Sequence, residues 1–441
     1  LNAGAERVYI DRPYVDFDYR SDLSHYYGRA FRPPPETTER LIFTAGDEVL
    51  GVSVMRPLPR QVGRTVLAPS LQQAPYVTCM AKMAVNAFGF EWEVEGYPFT
   101  SQDGQYGRCA HAAIWSIARY HHLRFGTDRY TTSAIIEAAG LRERPDKTAP
   151  SDGMYASDIV RAFRGIGLPA LQYDVAKIPD TFKNNETAHM IIRRYLNSGI
   201  PVGVQTSNHM IVLVGYGETA DGNAFYVVSD DNLGPYDRRT LVKSGPTAWN
   251  LLIIPLPGRM HVAGDTAEAR AERAFGDRVR ADTGPRQLFA RWRSREEKQK
   301  TGQGDAGRPL EVKTYATPST TYVNCLTRRG VPKDLRDHHV FAPKGNWLWI
   351  TEFQDPDEPA GRRVVGEIAV DATSMQLDPD PVFGNIDGWA FIWERGAREP
   401  SVAQPCNDGA RFASALPDHA ELDDPAVLVL DRDQDDVDPV G

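Results

Sequence analysis

The chain is poor in cysteine: Cys79, Cys109, Cys325 and Cys406 are spread over 441 residues. So thin a set does not make a disulfide framework, and a reduced, cytoplasmic compartment is the expectation. Apolar runs of about 18 residues, the length a membrane helix needs, do not occur. Nor does a basic start followed by an apolar stretch open the chain, so neither a membrane span nor a secretion signal is expected. Basic residues are the minority. Lys and Arg number 50 against 59 Asp and Glu, a net charge of -9, which argues against sequence-independent nucleic-acid binding. Both common phosphate-binding glycine loops are missing, and no Cys-x-x-Cys or His-Glu-x-x-His pattern founds a metal site. No cofactor and no metal are expected. His111, His121 and His122 lie near Cys109, but positions two apart on a helix face different ways, so they read as packing or solvent-facing groups. His338 and His339, after Cys325, read the same way.

What is present is an ordinary globular composition, 41% apolar and 25% charged, long enough for two or three domains. Residues 1–96 read as an α/β or mostly β unit. Arg40–Thr44 and Val49–Met55 are strand-like runs around a hairpin turn, and Phe90–Val94 alternates in the strand sense. Residues 97–258 begin with helices at Cys109–Tyr120, Thr132–Ala139, Ser157–Gly165 (introduced by Ser157-Asp158 as a capping pair) and Thr187–Leu196. Strands follow at Pro201–Gln205, His209–Gly215, Phe225–Ser229 and Leu251–Pro255, an α+β order. Residues 259–309 read as an Arg-rich helical segment and a glycine-containing linker. Ten basic residues over 265–300 meet seven acidic ones, which fits a solvated helical face better than a nucleic-acid contact. A small β-rich unit spans 310–397, with Trp347, Trp349, Trp389 and Trp393 read as core. The tail, 398–441, is acidic and expected to be solvated.

Three residues carry a chemical pattern. Cys109 stands where Gly104 and Gly107 break regular structure and helical apolar spacing begins, so it is placed at a helix N-terminus, which favours the thiolate. His209 precedes the apolar run Met210–Val214, which leads into Gly215-Tyr216-Gly217. Asp230 closes the next strand, and antiparallel pairing brings a strand's start beside its partner's end. A thiol nucleophile, an imidazole base and a carboxylate to orient the imidazole are the parts of nucleophilic acyl transfer. Asp231 and Asn232 are adjacent alternatives for the third position. Each residue taken alone has a bland reading: a small cysteine on an alanine-rich helix, a satisfied histidine before a strand.

The stretch Asn208-His209 to Gly217, with Gly199-Ile200-Pro201-Val202-Gly203-Val204 before it, resembles the histidine motif of papain-like cysteine peptidases. The likeness is to bacterial members such as double-glycine leader peptidases, over residues 101–232. It implies an α+β papain-like core, with a helix carrying the cysteine and an antiparallel sheet carrying His209 and Asp230, between flanking mostly β modules. The implied activity is thiol-dependent hydrolysis of peptide or isopeptide bonds in a protein or peptide substrate, with an activating or regulatory protein partner as a further expectation. The family also carries a glutamine before the cysteine whose amide stabilises the oxyanion. Here Gln102 and Gln105 compete for that role, neither at the family's usual spacing. Ala110 replaces the family's aromatic after the cysteine, and Asp230 stands where many members have asparagine. Cysteine-dependent acyl transfer, transamidation or deamidation shares the same first step, and a non-catalytic papain-like interaction module would keep the same scaffold.

Overall fold

The computed structural model describes residues 4–25, 33–70, 73–103, 109–140, 154–178, 186–219, 223–242, 248–280, 292, 309–337, 346–359, 362–397 and 399–405. Gln105, Gly104, Gly107, Cys406, His338 and His339, the linker after Lys300 and the acidic tail beyond Pro405 lie outside the described residues.

The described strands form three antiparallel sheets. The first comprises β1 (Arg7–Tyr14), β2 (Thr38–Ala45), β3 (Glu48–Met55), β4 (Val62–Leu67), β5 (Ala81–Ala87) and β6 (Phe90–Phe99) in the order β1-β2-β3-β4-β6-β5. Its β5 alternates buried and exposed residues without a break, the mark of a half-covered strand. A helix absent from the sequence reading, α1 (Phe17–His25), links β1 to β2. The second sheet comprises β7 (Ala170–Asp174), β8 (Val202–Gln205), β9 (Met210–Glu218), β10 (Ala224–Asp230), β11 (Gly234–Arg239) and β12 (Leu251–Pro255), ordered β11-β10-β9-β8-β12-β7. The third runs in sequence order through β13 (Glu311–Pro318), β14 (Trp347–Gln354), β15 (Val364–Asp371), β16 (Pro381–Ile386), β17 (Trp389–Ile392) and β18 (Val402–Pro405).

Helix α2 (Cys109–Phe125) sits between β5 and β6 of the first sheet and β9 of the second. Every residue from Ala110 to His121 is buried, so the helix is enclosed on all sides, and alanines at 110, 112, 113 and 118 permit that close approach. Helices α3 (Thr132–Ala138) and α4 (Ala156–Gly165) pack beside it. The α4 cap differs from the expected Ser157-Asp158 pair: the helix starts at Ala156, and Asp158 Oδ2 accepts from the Tyr155 N–H at 3.0 Å. Helices α5 (Glu186–Asn197) and α6 (Gly264–Arg280) join the second sheet to the third, with Arg194 and Glu268 forming a buried ion pair at 2.7 Å. Helices α7 (Ser319–Arg328) and α8 (Lys333–Arg336) cover the third sheet's other face. Trp347, Trp349 and Trp393 are core residues, whereas Trp389 is 48% exposed.

Two seams bring the first sheet against the site-bearing part. Tyr236 on β11 donates its hydroxyl to the Leu67 carbonyl and accepts from the Tyr97 N–H. Asp18 of α1 accepts from Trp115 on α2 and pairs with Arg129, while its neighbour Asp16 pairs with Arg64. The Gly215-Tyr216-Gly217 motif also acquires a physical reason. It does not end the strand, since β9 runs on to Glu218. Instead the 74–77 segment crosses over it, and a Cβ at Gly215 would lie 1.9 Å from the Tyr76 carbonyl oxygen. Between the glycines, Tyr216 donates to Asn197 at the end of α5.

Candidate functional site

Cys109, His209 and Asp230 come together at one end of the second sheet. His209 is held in the four-residue loop between β8 and β9, whose last pair is Gln205 with Met210. Thr206 fixes that loop: its hydroxyl accepts from the His209 N–H at 3.2 Å, and its own N–H donates to the His209 carbonyl at 2.9 Å. Asp230 is the last residue of β10, where antiparallel pairing with β9 (Ser229 opposite Val212) sets it beside the histidine loop. Cys109 is the first residue of α2, half-buried, and its side chain shares a hydrogen bond with the His209 ring.

The ring has two nitrogens, and their partners sort themselves. Nε2 donates to Asp230 Oδ1 at 2.9 Å. That leaves Nδ1 for the thiol. Asn232 Nδ2 also stands 3.4 Å from Nε2, but a nitrogen that donates to Asp230 has no lone pair to accept with, so this is a contact and not a hydrogen bond. The Asn232 amide is oriented by its oxygen, which accepts from Arg60 Nη1 at 2.5 Å and from Gln102 Nε2 at 2.9 Å. Of the three residues open for the third position, Asp230 makes the hydrogen bond, Asp231 stands 3.5 Å from Nε2, and Asn232 braces the surroundings. Gln102 thus lies at the edge of the site with one N–H engaged on Asn232.

The electrostatics follow from burial and partners together. Burial alone would push the His209 proton off, but hydrogen bonds to Asp230 and Cys109 and the charges of Asp230 and Asp231 outweigh it and raise the imidazole to about 10. Asp230 moves the other way. Burial would raise its carboxyl, but the His209 hydrogen bond, the Asn232 N–H on Oδ1 and the Arg239 guanidinium hold it below the usual carboxylate range. Arg239, from β11, pairs with the second Asp230 oxygen.

Arg239 and Arg60 were missed from the sequence. Arg60 lies 172 positions from the Asn232 it contacts, and nothing local marks either arginine as facing a carboxylate. Ligand atoms of His209, Asp230 and Asp231 lie within 4.8 Å of one another, a spacing that suits a cation. A cation there would displace the ring proton and face the Arg239 guanidinium, so the donor set fits an imidazolium better than a metal. Among the described residues, His121 is fully buried with neither ring nitrogen hydrogen-bonded, and no helix is long and apolar enough to cross a membrane.

No family model and no curated protein matches the sequence. Among solved structures, the chain is similar to UfSP from C. elegans, at 14% identity and a TM-score of 0.26. That match spans 36% of this chain and about a third (33%) of UfSP. A score at that level does not establish a shared fold.

Proposed function

We propose that the protein is a thiol-dependent hydrolase with a papain-like core, cleaving peptide or isopeptide bonds in a protein or peptide substrate. The observation that carries the reading is the hydrogen-bonded series Cys109–His209–Asp230 at the N-terminus of an enclosed helix. In this reading the Cys109 thiolate attacks the substrate carbonyl carbon, forming a C–S bond. Imidazolium Nδ1 gives its proton to the departing amine, and the C–N bond breaks to leave a thioester. Water, deprotonated by the same nitrogen, then releases the acid and regenerates the thiol. Asp230 keeps the ring in the tautomer that faces the thiol and stabilises its charge. The Cys109 N–H together with Gln102 or Gln105 serves the oxyanion. The outer sheets, taken as separate units over 1–96 and 310–397, recognise the substrate or gate the groove, and a protein partner regulates access.

The test is a defined mixture of peptides incubated with the full chain and read by mass spectrometry, with and without hydroxylamine. New termini formed by the wild type and absent with Cys109→Ala support hydrolysis. Hydroxamate products in place of free acids redirect the reading to acyl transfer, which shares the thioester. Products that persist with Cys109→Ala rule out the thiol mechanism.

A further inference from the structure

The triad assigns one carboxylate to His209 and leaves its neighbour unused. Asp231 is 8% exposed, and among the described residues no side chain hydrogen-bonds its buried carboxyl oxygens, which meet only the residue's own backbone N–H. Oδ1 stands 3.5 Å from His209 Nε2, the nitrogen already bonded to Asp230. The side chain lines a recess closed by Phe99 of β6, Thr100 just after it, and Ala113 and Ser116 of α2, none of them charged. The charged neighbours come from elsewhere: His209 from the β8–β9 loop, Asp230 from β10 and Arg60 from the loop after β3. Arg239 of β11 engages Asp230, and Cys109 of α2 engages His209.

A carboxyl in such a place weakens the fold. A buried carboxylate whose donor is only its own backbone N–H is poorly compensated for its desolvation, and a neutral isostere loses less. Burial, and behind it the Asp230 charge, push Asp231 up to about 6 against the pull of His209 and Arg60. For an acid raised from an ordinary 3.8, the stabilising contribution is full below about 3.8 and is lost as pH rises through about 6. At neutral pH Asp231 is therefore ionised and a burden to stability. What it acts on is the imidazole: its charge is among the causes that raise His209.

We propose that Asp231 is a positioning residue of the thiol site, a second carboxylate set against His209 that holds the imidazole protonated beside Cys109. The inference rests on reading Cys109 and His209 as a reacting pair. It separates two jobs within adjacent residues. Asp230 orients the ring through a hydrogen bond, and Asp231 adds charge without one.

The experiment is a histidine-selective NMR titration of the full chain, with His209 assigned by its loss in His209→Ala. Asp231→Asn is expected to lower the His209 midpoint by about one pH unit and to raise the melting temperature at pH 8 by about 2 °C or more. A purely structural aspartate would give the opposite stability change and leave the midpoint in place. Should Asp231→Asn fail to fold, Asp231→Ser removes the same charge in less volume. Cys109 alkylation in the wild type at pH 6, with and without His209, keeps the two ideas apart. A reactive Cys109 with an unmoved His209 midpoint in both variants overturns only the role of Asp231. An unreactive Cys109 with a wild-type His209 midpoint near 6.5 removes the pair on which that role depends.

Discussion

A histidine lies at each end of α2, and the two ends treat it oppositely. At the N-terminal end, Cys109 meets His209 beside two aspartates and an arginine. At the C-terminal end, His121 packs edge-on against Tyr120 and Phe125, and Cys79 lies against Tyr120 in the same core. Burial drives His121 down to about 3, whereas His209, also largely buried, rises to about 10. Burial likewise pushes the Cys79 thiol up to about 12. What separates the two histidines is therefore the presence of ionised partners around the ring, and not burial or residue type.

The largest effect that sharpens this contrast is expected from Asp230→Asn. It removes the charge facing His209, whose ring keeps an amide oxygen to donate to, and it leaves Arg239 without its buried ionic partner. The His209 midpoint should fall by about 2 units, and stability at pH 7 by about 2–3 kcal/mol, at or below the bottom of the range for breaking a buried pair because Arg239 is partly exposed. Titration by NMR and denaturant unfolding read the two changes. His121→Leu tests the other end. A histidine lowered from 6.5 to about 3 contributes stability that is present above about 6.5 and fades as pH falls toward 3. Replacing it should shrink the difference in unfolding free energy between pH 7 and pH 4 by about 3 kcal/mol, with no change at Cys109. A larger acid loss in the variant would mean that another buried group dominates there. The smallest effect is expected from Cys79→Ala, a minor cavity costing about 1 kcal/mol. It should leave the alkylation kinetics of Cys109 untouched, and a slower Cys109 would mean that the two ends are coupled through the helix.

Legibility in the sequence divided along the same line. Local signals were readable. Helical spacing after Cys109 leads to α2, the apolar run after His209 leads to β9, and the alternating segment from Phe90 leads to β6. The chain order of His209 and Asp230 also places them at one end of a strand pair, because antiparallel pairing puts a strand's start beside its neighbour's end, whereas Cys109 arrives through the packing of α2 on β9. Contacts that depend on distant segments were not readable. Arg60 arrives from the first sheet, Arg239 from the short strand β11, and Tyr76 crosses Gly215 at a separation no periodicity encodes. Strand β7, the edge partner of β12, was overlooked because its half-exposed residues lack an alternating pattern. In the sequence Asp231 is a substitute for Asp230, and only the structure shows that the ring hydrogen bond goes to Asp230 while Asp231 stands 3.5 Å away.

The most direct test is the pH dependence of iodoacetamide alkylation, measured for Cys79, Cys109 and Cys325 in one digest, in the wild type and in His209→Ala. The account predicts fast labelling of Cys109 that persists well below the pH of about 8.5 at which a free thiol ionises. In His209→Ala the Cys109 rate at pH 6 should drop by about 100-fold, while Cys79 stays unlabelled in both proteins. Cys109 labelling that is slow at pH 6 and indifferent to His209 would contradict the reacting pair and leave the first residue of α2 an ordinary thiol.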